Sequence, residues 1–591
     1  MNGLASSSSP LLLLALLGAC ADEKPPAAVP PPPYGIISKQ DDQLYAGVAR
    51  VDLTPTNFET FTDLDNDAEF DGCMTDPDAT RVDCEEPFND LNGDGRFDGV
   101  WIAGYQSNRA ATGVHDPITA TAVVLSLNGE YVTLVGFDAL GILENRIRDL
   151  RDMLEADGYD RNRIVVSSSH SHSAPDTAGI WGPDAATTGT YAPFVESIAP
   201  GIYDAITVAA AGMVPVSASQ GITVMSTDPT LNGEPFGGIN PDPSVLGGMN
   251  DIRDPILAAD EVWALALDGA DGRVATVVSA SGHPETSESN HTLLSADYVG
   301  YMRDYIERAD GGTTVFLSGA LGGMQSSSGG VLPSIDTNGA RVLDGAGAPV
   351  WLEEDGFAFA ETWGVLVAQA AQTALSDSTP WTALSVKHQD FLIPVNNISF
   401  KLAFQIGILD TPDSYVIRDE TCPEWGLDND LFGCVPAGVW MVQLGPSTLA
   451  SFPGELFPEL FYGVPDEPAM TDASLRQGDR RWVQDDPDCA AVDFALCKDA
   501  EVVGDCDCLQ AHAAPYVISA TETTPIRDML PGTFHVPIGI ANAYCGYIVP
   551  EPDFNTFVSV LTDDGDHYEE TNSCSKDFGT LVLDNWALLV K

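Results

Sequence analysis

Short apolar runs separated by polar turns divide the chain into alternating strands and helices. Runs rich in β-branched residues predict strands, and apolar positions three and four residues apart predict amphipathic helices. The predicted strands cover residues 45–52, 119–127, 131–137, 164–166, 261–267, 274–280, 313–317, 441–444 and 536–540. The predicted helices cover residues 143–156, 194–213, 297–307 and 356–375.

Local signals sharpen several of these boundaries. Asn128-Gly129 predicts a tight hairpin, and a second hairpin is expected around residues 268–272. Gly158 ends the first helix, Pro200 is expected to kink or split the second, and Ser295 is the expected N-cap of the third. Because strands dominate the early half and helices interleave with them, the pattern predicts an α/β (α+β) fold with a large mixed sheet flanked by helices.

The N-terminal segment has the features of an exported protein. Residues 11–17 form an apolar stretch too short to span a bilayer, and Leu17-Gly18-Ala19-Cys20 resembles a bacterial lipobox. We therefore expect a signal peptide over residues 1–20, lipidation of Cys20, and a Pro-rich tether over residues 21–43 that holds the domain at a membrane. This predicts an exported bacterial lipoprotein of the cell envelope or outer surface, with plain signal-peptide cleavage as the alternative. Residues 44–591 then form a single domain.

The chain is strongly acidic, with a net charge of −61. Such a charge argues against nucleic acid as a partner, because phosphate binding needs basic patches. Charged residues are only 19% of the chain and apolar residues 44%, so a folded core is expected in spite of the charge. The acidic excess suits a salty exterior, calcium binding, or simply solubility.

Cysteine usage agrees with export. Eleven cysteines minus Cys20 leave an even number, which predicts five disulfides. Proximity suggests Cys73–Cys84, Cys422–Cys434 and Cys545–Cys574, with the remaining four pairing among themselves: Cys489, Cys497, Cys506 and Cys508. A zinc cluster formed by those four is the alternative.

Two acidic loops lie in an insertion over residues 60–99. Carboxylates at alternating positions, followed by a glycine, suit an oxygen-seeking cation such as Ca²⁺. The predicted ligands are Asp63, Asp65, Asp67 and Asp71 in the first loop and Asp90, Asn92, Asp94 and Asp98 in the second. The second loop is the better match, although neither has the bidentate Glu of a complete EF-hand. A simple solvated acidic loop is the alternative.

Polar, chemistry-capable residues follow five predicted strands. The strand at 164–166 runs into Ser169-His170-Ser171-His172, where the two histidines share one face if the strand continues. Ligands collect at the carboxyl ends of strands in open α/β sheets, so these histidines are candidate metal or acid/base groups. The alternative is two surface histidines in a Ser-rich turn. The segments that follow the other four predicted strands contain Gly282-His283, Gly323-Met324-Gln325-Ser326, Pro453-Gly454-Glu455 and Asn542-Ala543-Tyr544-Cys545-Gly546-Tyr547.

The order of these stretches resembles the neutral/alkaline ceramidase family. The carrying residues are Ser169-His170-Ser171-His172-Ser173-Ala174-Pro175, Gly282-His283, Leu294-Ser295-Ala296-Asp297-Tyr298-Val299-Gly300-Tyr301, Pro453-Gly454-Glu455 and the Asn542 stretch. The resemblance runs from about Tyr45 to the end of the chain, apart from the acidic insertion. It implies a catalytic Zn²⁺ held by His170, His283, Glu455 and Tyr547, with Tyr544 as the alternative tyrosine, and His172 as the acid/base group.

Zinc with imidazole and carboxylate ligands activates water for attack on an amide carbonyl, after which His172 transfers a proton to the leaving amine. The resemblance also implies a catalytic serine at Ser326, as nucleophile or oxyanion donor. Here Met324 and Ser327 replace the Asp and Pro of the family's Gly-Asp-Val-Ser-Pro stretch.

Other parts depart from the family. Only about forty residues follow Tyr547, fewer than the roughly one hundred of an immunoglobulin-like sandwich, so we expect that C-terminal domain to be absent. Residues 238–243 stand where the family has an Asn-Arg-Ser-Pro stretch. Three hypotheses follow: a zinc amidase that cleaves the N-acyl bond of ceramide-like lipids, a zinc hydrolase of the same scaffold with another amide or ester substrate, and a non-catalytic calcium-binding surface lipoprotein.

Overall fold

The computed structural model describes residues 38–71, 86–184, 186–225, 250–251, 259–325, 332–348, 350–352, 356–376, 379–380, 383–409, 416–419, 421–422, 433–463, 524–551, 554 and 568–591. The strands within these ranges are β1 (Tyr45–Asp52), β2 (Gly113–Val114), β3 (Thr119–Leu127), β4 (Glu130–Phe137), β5 (Ile164–Ser168), β6 (Val214–Pro215), β7 (Ser217–Val224), β8 (Asn250–Asp251), β9 (Glu261–Gly269), β10 (Gly272–Ala280), β11 (Leu293–Leu294), β12 (Thr313–Ser318), β13 (Met324–Gln325), β14 (Leu332–Pro333), β15 (Trp351–Leu352), β16 (Thr379–Pro380), β17 (Leu384–Pro394), β18 (Cys434–Leu444), β19 (Ser447–Ser451), β20 (Glu455–Leu456), β21 (Phe534–Ile538) and β22 (Tyr547–Ile548). The α-helices are α1 (Glu144–Ala156), α2 (Ala192–Ala211), α3 (Tyr298–Asp310), α4 (Phe357–Ser376), α5 (Ile398–Ile406), α6 (Pro458–Tyr462), α7 (Ile526–Met529), α8 (Tyr568–Thr571) and α9 (Phe578–Leu589), and a 3₁₀ turn spans Arg161–Arg163.

Two five-stranded sheets pack face to face. The first has the order β5-β4-β3-β1-β6 and the second β12-β10-β9-β7-β16. Neighbouring residues of one strand belong to different apolar clusters: Val123 faces the second sheet, whereas Ala122 and Val124 face α2. Val277 and Val278 divide in the same way between the first sheet and the layer of α3 and α4. The result is a four-layer arrangement of helices, sheet, sheet and helices, in which both faces of each sheet are buried.

The sheets are mixed, as the sequence predicted. β4 and β5 pair in parallel, as do β10 and β12, while the hairpins β3/β4 and β9/β10 are antiparallel. A third sheet with the order β17-β18-β19-β21 contains a further parallel pair, β19/β21, and its apolar face joins the core between the other two. The predicted α/β class is confirmed, but the strands are divided among several sheets rather than forming one.

Most predicted elements are present with small shifts at their ends. α2 is continuous through Pro200, so the predicted splitting is wrong. The N-cap of α3 is Asp297, whose side chain accepts from the Tyr298 N–H. Ser295 is therefore not the cap; its hydroxyl instead donates to Asp116, 2.5 Å away.

Two of the expected disulfides are present, Cys422–Cys434 and Cys545–Cys574. The second joins the segment after β21 to the loop between α8 and α9, close to the residues of interest. The other predicted pairings, Cys73–Cys84 and those among Cys489, Cys497, Cys506 and Cys508, lie outside the described residues, as do Cys20 and residues 21–37 of the predicted tether. The last residues of that predicted tether, 38–43, are described, and they lie against the β3/β4 hairpin: Ser38 Oγ donates to the carbonyl of Gly129 (2.8 Å), and the Lys39 N–H donates to Ser126 Oγ (2.8 Å).

The acidic insertion contains two similar loops, and a glutamate beside each loop accepts hydrogen bonds from the backbone of the other loop. The Glu86 carboxylate accepts from Leu64 N–H (2.6 Å) and Asp71 N–H (3.1 Å) of the first loop. The Glu59 carboxylate accepts from Leu91 N–H (2.7 Å) and Asp98 N–H (2.8 Å) of the second loop. Packed between the loops is a cluster of aromatic rings, namely Phe61, Phe70, Phe88, Phe97 and Trp101. The insertion therefore has its own small core.

Within the described part of the chain, one helix, α2, is long and apolar enough by composition to cross a membrane. More than half of its most apolar window is buried, and it packs on β1 and β3. It has the burial of a core helix.

Candidate metal centre

The carboxyl ends of β5, β12 and β21 meet between the sheets. The Ser318 N–H donates to Ser167 Oγ (3.1 Å), and Ser167 Oγ donates to the carbonyl of Gly539 (3.0 Å). Ser318 Oγ donates to the carbonyl of Ser168 (2.7 Å). Because these groups are buried, their hydrogen bonds fix the three strand ends relative to one another. The segment carrying the His170 pair begins here.

His170, His172 and His283 form one buried cluster. Their candidate ligand atoms all lie within 4.8 Å of one another. The ring centroids are 5.0 Å apart for His170 and His172, 4.9 Å for His170 and His283, and 5.7 Å for His172 and His283. None of the three is more than 7% exposed. The alternative of surface histidines in a Ser-rich turn is therefore wrong.

Backbone contacts fix the orientation of His170. Its φ of 72° lies in the left-handed region, which non-glycine residues rarely adopt. The backbone N–H donates to the carbonyl of Ala139 (2.8 Å), and the ring Nδ1 donates to the carbonyl of Leu140 (2.7 Å). With the proton on Nδ1, the lone pair of Nε2 is free and faces the cluster.

Glu455 supplies the carboxylate of the site. It begins β20, which pairs in parallel with β22, and its side chain is buried. Its Oε2 lies 3.4 Å from His170 Nε2 and 3.4 Å from His283 Nε2. Its Oε1 accepts a hydrogen bond from the Tyr544 hydroxyl (2.9 Å). Two imidazoles and a carboxylate, distant in sequence, therefore lie together, and their role as metal ligands stays a prediction.

The geometry of these atoms fits a metal ion better than it fits hydrogen bonding. Glu455 Oε2 is buried and makes no hydrogen bond, and both ring nitrogens of His172 are in the same situation. A separation of 3.4 Å is the edge expected of a tetrahedron whose corners lie about 2.1 Å from its centre, the usual zinc-ligand distance. Imidazole nitrogen and carboxylate oxygen are also donors that zinc accepts. The residues can therefore hold a divalent cation.

The charges of the cluster favour an ionised carboxylate. Burial alone would raise the pKa of Glu455, but the His170 and His283 imidazoles hold it well below its usual range. Burial lowers the pKa of His283, but the close approach of Glu455 and the negative charges of Glu285 and Glu455 outweigh this and raise it above its usual value. Burial and the two neighbouring imidazoles hold the pKa of His172 well below its usual value. The site thus combines an anionic carboxylate with a neutral His172.

His172 differs from His170 in the group that faces its Nδ1. The Oε2 of Glu285 lies 3.5 Å from His172 Nδ1. The same loop also binds the His172 backbone, because the His172 N–H donates to the carbonyl of Pro284 (2.9 Å). The Tyr105 ring stands edge-on to the imidazole at 5.2 Å, and its hydroxyl donates to the Glu285 carbonyl (2.5 Å). A carboxylate at this position favours imidazolium formation, whereas the carbonyl at His170 favours a neutral ligand.

The backbone around His172 is crowded. Gly104 has φ +110°, and a Cβ there would lie 2.4 Å from the Cβ of His172. The fully buried Arg109 donates to the carbonyls of Ala103 (2.9 Å) and His172, and its guanidinium lies over the Tyr105 ring. These contacts leave the imidazole little freedom to move.

The Asp297-Tyr298 pair holds the loop that carries His283. The Asp297 carboxylate accepts from the backbone N–H and hydroxyl of both Thr286 and Ser287, and from Tyr298 N–H. The Tyr298 hydroxyl donates to the carbonyl of Gly282 (2.7 Å). This stretch carried part of the family resemblance, and its contacts give it a positioning role.

The two candidate tyrosines lie in different surroundings. Tyr544 contacts Glu455 directly, and its ring centroid is 6.0 Å from that of His170. Tyr547 lies beside Glu455 across β20 and β22, with its ring against Phe457 and Tyr568. Burial, followed by the charge of Glu455, raises the pKa of both phenols well above the usual value. Tyr544 makes the observed contact, and Tyr547 as a ligand stays a prediction.

Ser326 lies outside the described residues, so its role also stays a prediction. Of the acidic loops, the first brings the carboxylates of Asp63, Asp65 and Asp67 within 4.8 Å of one another, largely exposed. In the second loop, Asp90 accepts from Gly93 and Gly95 N–H groups. Calcium binding by either loop stays a prediction.

Several residues at the site gave no sequence signal. Leu140 acts through its backbone carbonyl, which no side-chain pattern reveals. Tyr105 and Arg109 come from segments that the sequence analysis left unassigned. Glu285 had one usable cue, since it lies two residues after His283 at a strand exit.

Comparison with known proteins supports the fold. No model of a known protein family matches the sequence, and no curated protein matches it. Among solved structures, neutral ceramidase from Pseudomonas aeruginosa is similar, with 14% identity, a TM-score of 0.52, and coverage of 93% of this chain and 75% of that chain. A ceramidase complexed with C2 is similar over the same shares, with 14% identity and a TM-score of 0.50. At this identity the likeness establishes a shared fold.

Proposed function

We propose that this protein is a zinc-dependent amide hydrolase of the neutral ceramidase type, which cleaves the N-acyl bond of ceramide-like lipids to fatty acid and sphingoid base. The observation that carries the proposal is the convergence of His170 Nε2, His283 Nε2 and Glu455 Oε2, with separations of 3.4 Å between the carboxylate oxygen and each imidazole. The shared fold with ceramidases supports it.

In this proposal His170, His283 and Glu455 hold the zinc ion, with Tyr547 or Tyr544 as the fourth protein donor. When bound, zinc supplies Lewis-acid activation of water and polarises the carbonyl of the scissile amide. The Leu140 carbonyl orients His170, and the Asp297 carboxylate orients the loop of His283. The ligands are thus held before the ion arrives, which reduces the cost of assembling the site.

His172 moves the proton in this proposal. It lies beside the ligands but has a carboxylate, Glu285, opposite its Nδ1, which offsets part of the cost that burial and the neighbouring imidazoles place on the imidazolium formed on taking up a proton. Its Nε2 can then deliver the proton to the leaving amine. Tyr544 donates a hydrogen bond to Glu455 (2.9 Å), and burial raises the pKa of its phenol well above the usual value. Ser326 remains the proposed nucleophile or oxyanion donor.

An amide or ester other than ceramide is the second candidate substrate. The observation that favours it is that Met324 and Ser327 replace the Asp and Pro of the family's Gly-Asp-Val-Ser-Pro stretch, while the proposed ligands are kept. Met324 is buried in β13 and pairs with Asp251.

Metal content tests the proposed site. Purified protein is expected to contain about one zinc per chain by elemental analysis, to lose activity on chelation, and to regain it with zinc. His283→Ala is expected to lose the metal, whereas His388→Ala, whose half-exposed ring lies near Asp390, is expected to retain it. Equal zinc in both variants would refute the proposed ligand set.

Release of fatty acid from N-acyl sphingoid bases of different chain length tests the substrate. Turnover of these lipids supports the ceramidase-type reaction, and turnover only of simple amides or esters supports the second candidate. A zinc-loaded protein that hydrolyses none of them would leave the third hypothesis, a non-catalytic surface lipoprotein.

We also propose that the protein is exported and anchored to a membrane through lipidated Cys20, where a lipid substrate would be within reach. The lipobox-like sequence and the Pro-rich tether support this. Mass spectrometry of the mature N-terminus tests it: an acylated Cys20 is expected, and an unmodified N-terminus at another residue would contradict the anchor.

A further inference from the structure

His291 is a histidine near the metal centre that is not one of the proposed ligands. It lies between His283 and β11, and its partly buried ring packs on Phe357, with the ring centroids 4.6 Å apart. Burial, followed by the nearby charges of Arg109 and His115, lowers the pKa of His291 to about 3. At neutral pH the ring is therefore uncharged, so one nitrogen carries a proton and the other can accept a hydrogen bond.

The backbone decides which nitrogen of His291 carries the proton. The Leu293 N–H donates to His291 Nδ1 (3.1 Å), and a backbone N–H can act only as a donor. Nδ1 is therefore the unprotonated nitrogen, which leaves the proton on Nε2. His291 Nε2 lies 3.2 Å from the hydroxyl oxygen of Ser173, so the imidazole donates to that hydroxyl.

An aspartate fixes the direction of the hydrogen bonds at the other end. Ser173 Oγ lies 3.0 Å from Ser287 Oγ, which donates to Asp297 Oδ2 (2.6 Å). Burial raises the pKa of Asp297 above its usual value, whereas the hydrogen bonds that it accepts, three of them from backbone N–H groups, favour the carboxylate. Because Ser287 gives its only hydroxyl proton to Asp297, it accepts from Ser173, and Ser173 in turn accepts from His291.

The two ends thus impose the same direction on one chain of hydrogen bonds, which runs from His291 through Ser173 and Ser287 to Asp297. We call these four residues the His291 chain. Each hydroxyl in it donates once and accepts once, so the chain is fully satisfied. Reversing it would put a proton on His291 Nδ1, where it would face the Leu293 N–H, donor against donor.

The His291 chain joins the two segments that carry the proposed histidine ligands. Ser173 directly follows His172, whereas Ser287 lies 114 residues further along, in the loop after His283. A hydrogen bond between these two hydroxyls fixes the backbone beside His172 relative to that loop. Since His291 supplies the proton that Ser173 accepts, it leaves the Ser173 proton free to make this link.

We infer that His291 is a positioning residue for the proposed amide hydrolysis: as a neutral donor at the start of the His291 chain, it holds His172 in place relative to the loop of His283. This role rests on the proposed function, whereas the tautomer of His291 and the direction of the chain do not. His291 acts through Ser173 rather than through the proposed metal ligands.

Two substitutions of similar length separate hydrogen bonding from space filling. In His291→Gln the side-chain amide can still donate to Ser173, whereas His291→Met fills similar space without a donor. His291→Met is expected to lower kcat for an amide substrate about tenfold, with KM and zinc content unchanged. His291→Gln should retain most of the activity. Equal kcat in the two variants would overturn the inference.

Ser173→Ala breaks the His291 chain at its second member. It should lower kcat by a similar factor, and the double variant with His291→Met should lose little more, because both substitutions remove the same connection. Additive losses would contradict the chain. His115→Met is the matched control: that ring also stacks on Phe357 (3.9 Å), but its hydrogen bonds go to Asp116 and Tyr301, so kcat should be unchanged.

Ring ¹⁵N chemical shifts of histidine-labelled, full-length protein test the tautomer without any turnover. His291, assigned by the signal that His291→Gln lacks, is expected to show a protonated Nε2 and an unprotonated Nδ1 at both about pH 5 and about pH 8. A proton on Nδ1, or a ring that titrates in this range, would overturn the inference. The expected tautomer in a protein that hydrolyses no amide would refute the proposed function, and the positioning role with it, while the direction of the chain would stand.

Discussion

The two histidines of the His170-Ser171-His172 segment differ in the group that faces the Nδ1 atom of each ring. The Nδ1 of His170 meets a neutral backbone carbonyl, that of Leu140. The Nδ1 of His172 faces a carboxylate oxygen of Glu285 instead. A carbonyl fixes a neutral tautomer suited to binding a metal, and a carboxylate stabilises a protonated ring. The contact made by each Nδ1 therefore suits His170 to the proposed role of ligand and His172 to that of proton carrier.

Glu285→Gln tests this division. The amide of Gln keeps the size of the side chain but removes the charge that stabilises protonated His172. With an amide substrate, whose leaving amine needs a proton, we expect kcat to fall by about 10- to 100-fold, part of the usual acid–base contribution. With a 4-nitrophenyl ester, whose leaving group needs no proton, kcat should change little. Zinc content should be unchanged.

Glu288→Gln is the matched control, because it removes a carboxylate three residues further along the same loop. It should behave like the unaltered enzyme with both substrates. Equal losses on amide and ester in Glu285→Gln would show that Glu285 only maintains the structure.

At the scale of elements, the N-terminal end of helix α3 is hydrogen-bonded to the loop that carries His283. The middle of the same helix is ion-paired to the end of a strand of the first sheet. Asp297 caps the helix and also holds Thr286 and Ser287 of the His283 loop. Arg303 forms a bidentate, buried ion pair with Asp138, which follows β4 (2.8 Å for both hydrogen bonds). The helix therefore connects strand ends that come from both sheets.

Asp297→Asn is expected to destabilise the fold and loosen the loop of His283. The new amide group turns donors toward backbone N–H groups, so we expect a loss of about 2–3 kcal/mol in the free energy of unfolding, measured by urea denaturation. Zinc affinity should fall as well. Asp304→Asn changes an exposed carboxylate of the same helix and should alter stability by less than about 0.5 kcal/mol. Similar losses in both variants would contradict the clamping role.

The Arg303–Asp138 pair gives a second prediction at this scale. Arg303→Met leaves a buried carboxylate unpaired and should cost about 3–5 kcal/mol of unfolding free energy. Removing both charges, in Arg303→Met with Asp138→Leu, should recover a large part of that loss, because no unpaired charge remains. A double-mutant cycle measures this coupling. Additive losses would show that the two side chains act independently.

At the scale of the whole molecule, the four layers bury the site at the end where both sheets approach each other. A Cβ at Gly136 on β4 would lie 2.2 Å from the carbonyl oxygen of Phe316 on β12, so the sheets are in backbone contact there. Charged and polar groups near this contact are removed from water, and their titration then affects the stability of the whole fold.

Asp176 makes that effect measurable. Burial raises the pKa of Asp176 to about 6, although it accepts hydrogen bonds from Ala178, Gly179 and Trp181 N–H groups. Its carboxyl ionises near pH 4 in the unfolded chain. Between about pH 4 and 6 the folded protein therefore binds the extra proton, so this group's contribution to the unfolding free energy falls as pH rises, by up to about 3 kcal/mol.

Urea denaturation at pH 4, 5, 6 and 7 checks this prediction. Asp176→Asn should remove the decline that this carboxyl contributes, whereas Asp184→Asn, an exposed position in the same region, should keep it. Parallel pH profiles for Asp176→Asn and the unaltered protein would contradict the assignment.

The sequence predicted the elements well where periodicity is local. The bounds of β1, β3 and both long hairpins are close to those expected, because alternation of apolar residues and Asn-Gly turns act over a few residues. The predictions failed where a longer-range contact competes with a local preference. Ser295 has the chemistry of an N-cap, yet its hydroxyl donates to Asp116, and Asp297 takes the cap.

By itself the sequence determined the α/β class, the two described disulfides and the set of polar residues that follow the strands, since these depend on residue type and short spacing. Only the tertiary structure decided that His170, His283 and Glu455 meet, that Glu285 faces His172, and that Tyr544 rather than Tyr547 contacts the carboxylate. Those relations depend on how separate sheets are stacked and on the direction of individual backbone groups, and neither leaves a periodic trace in the chain.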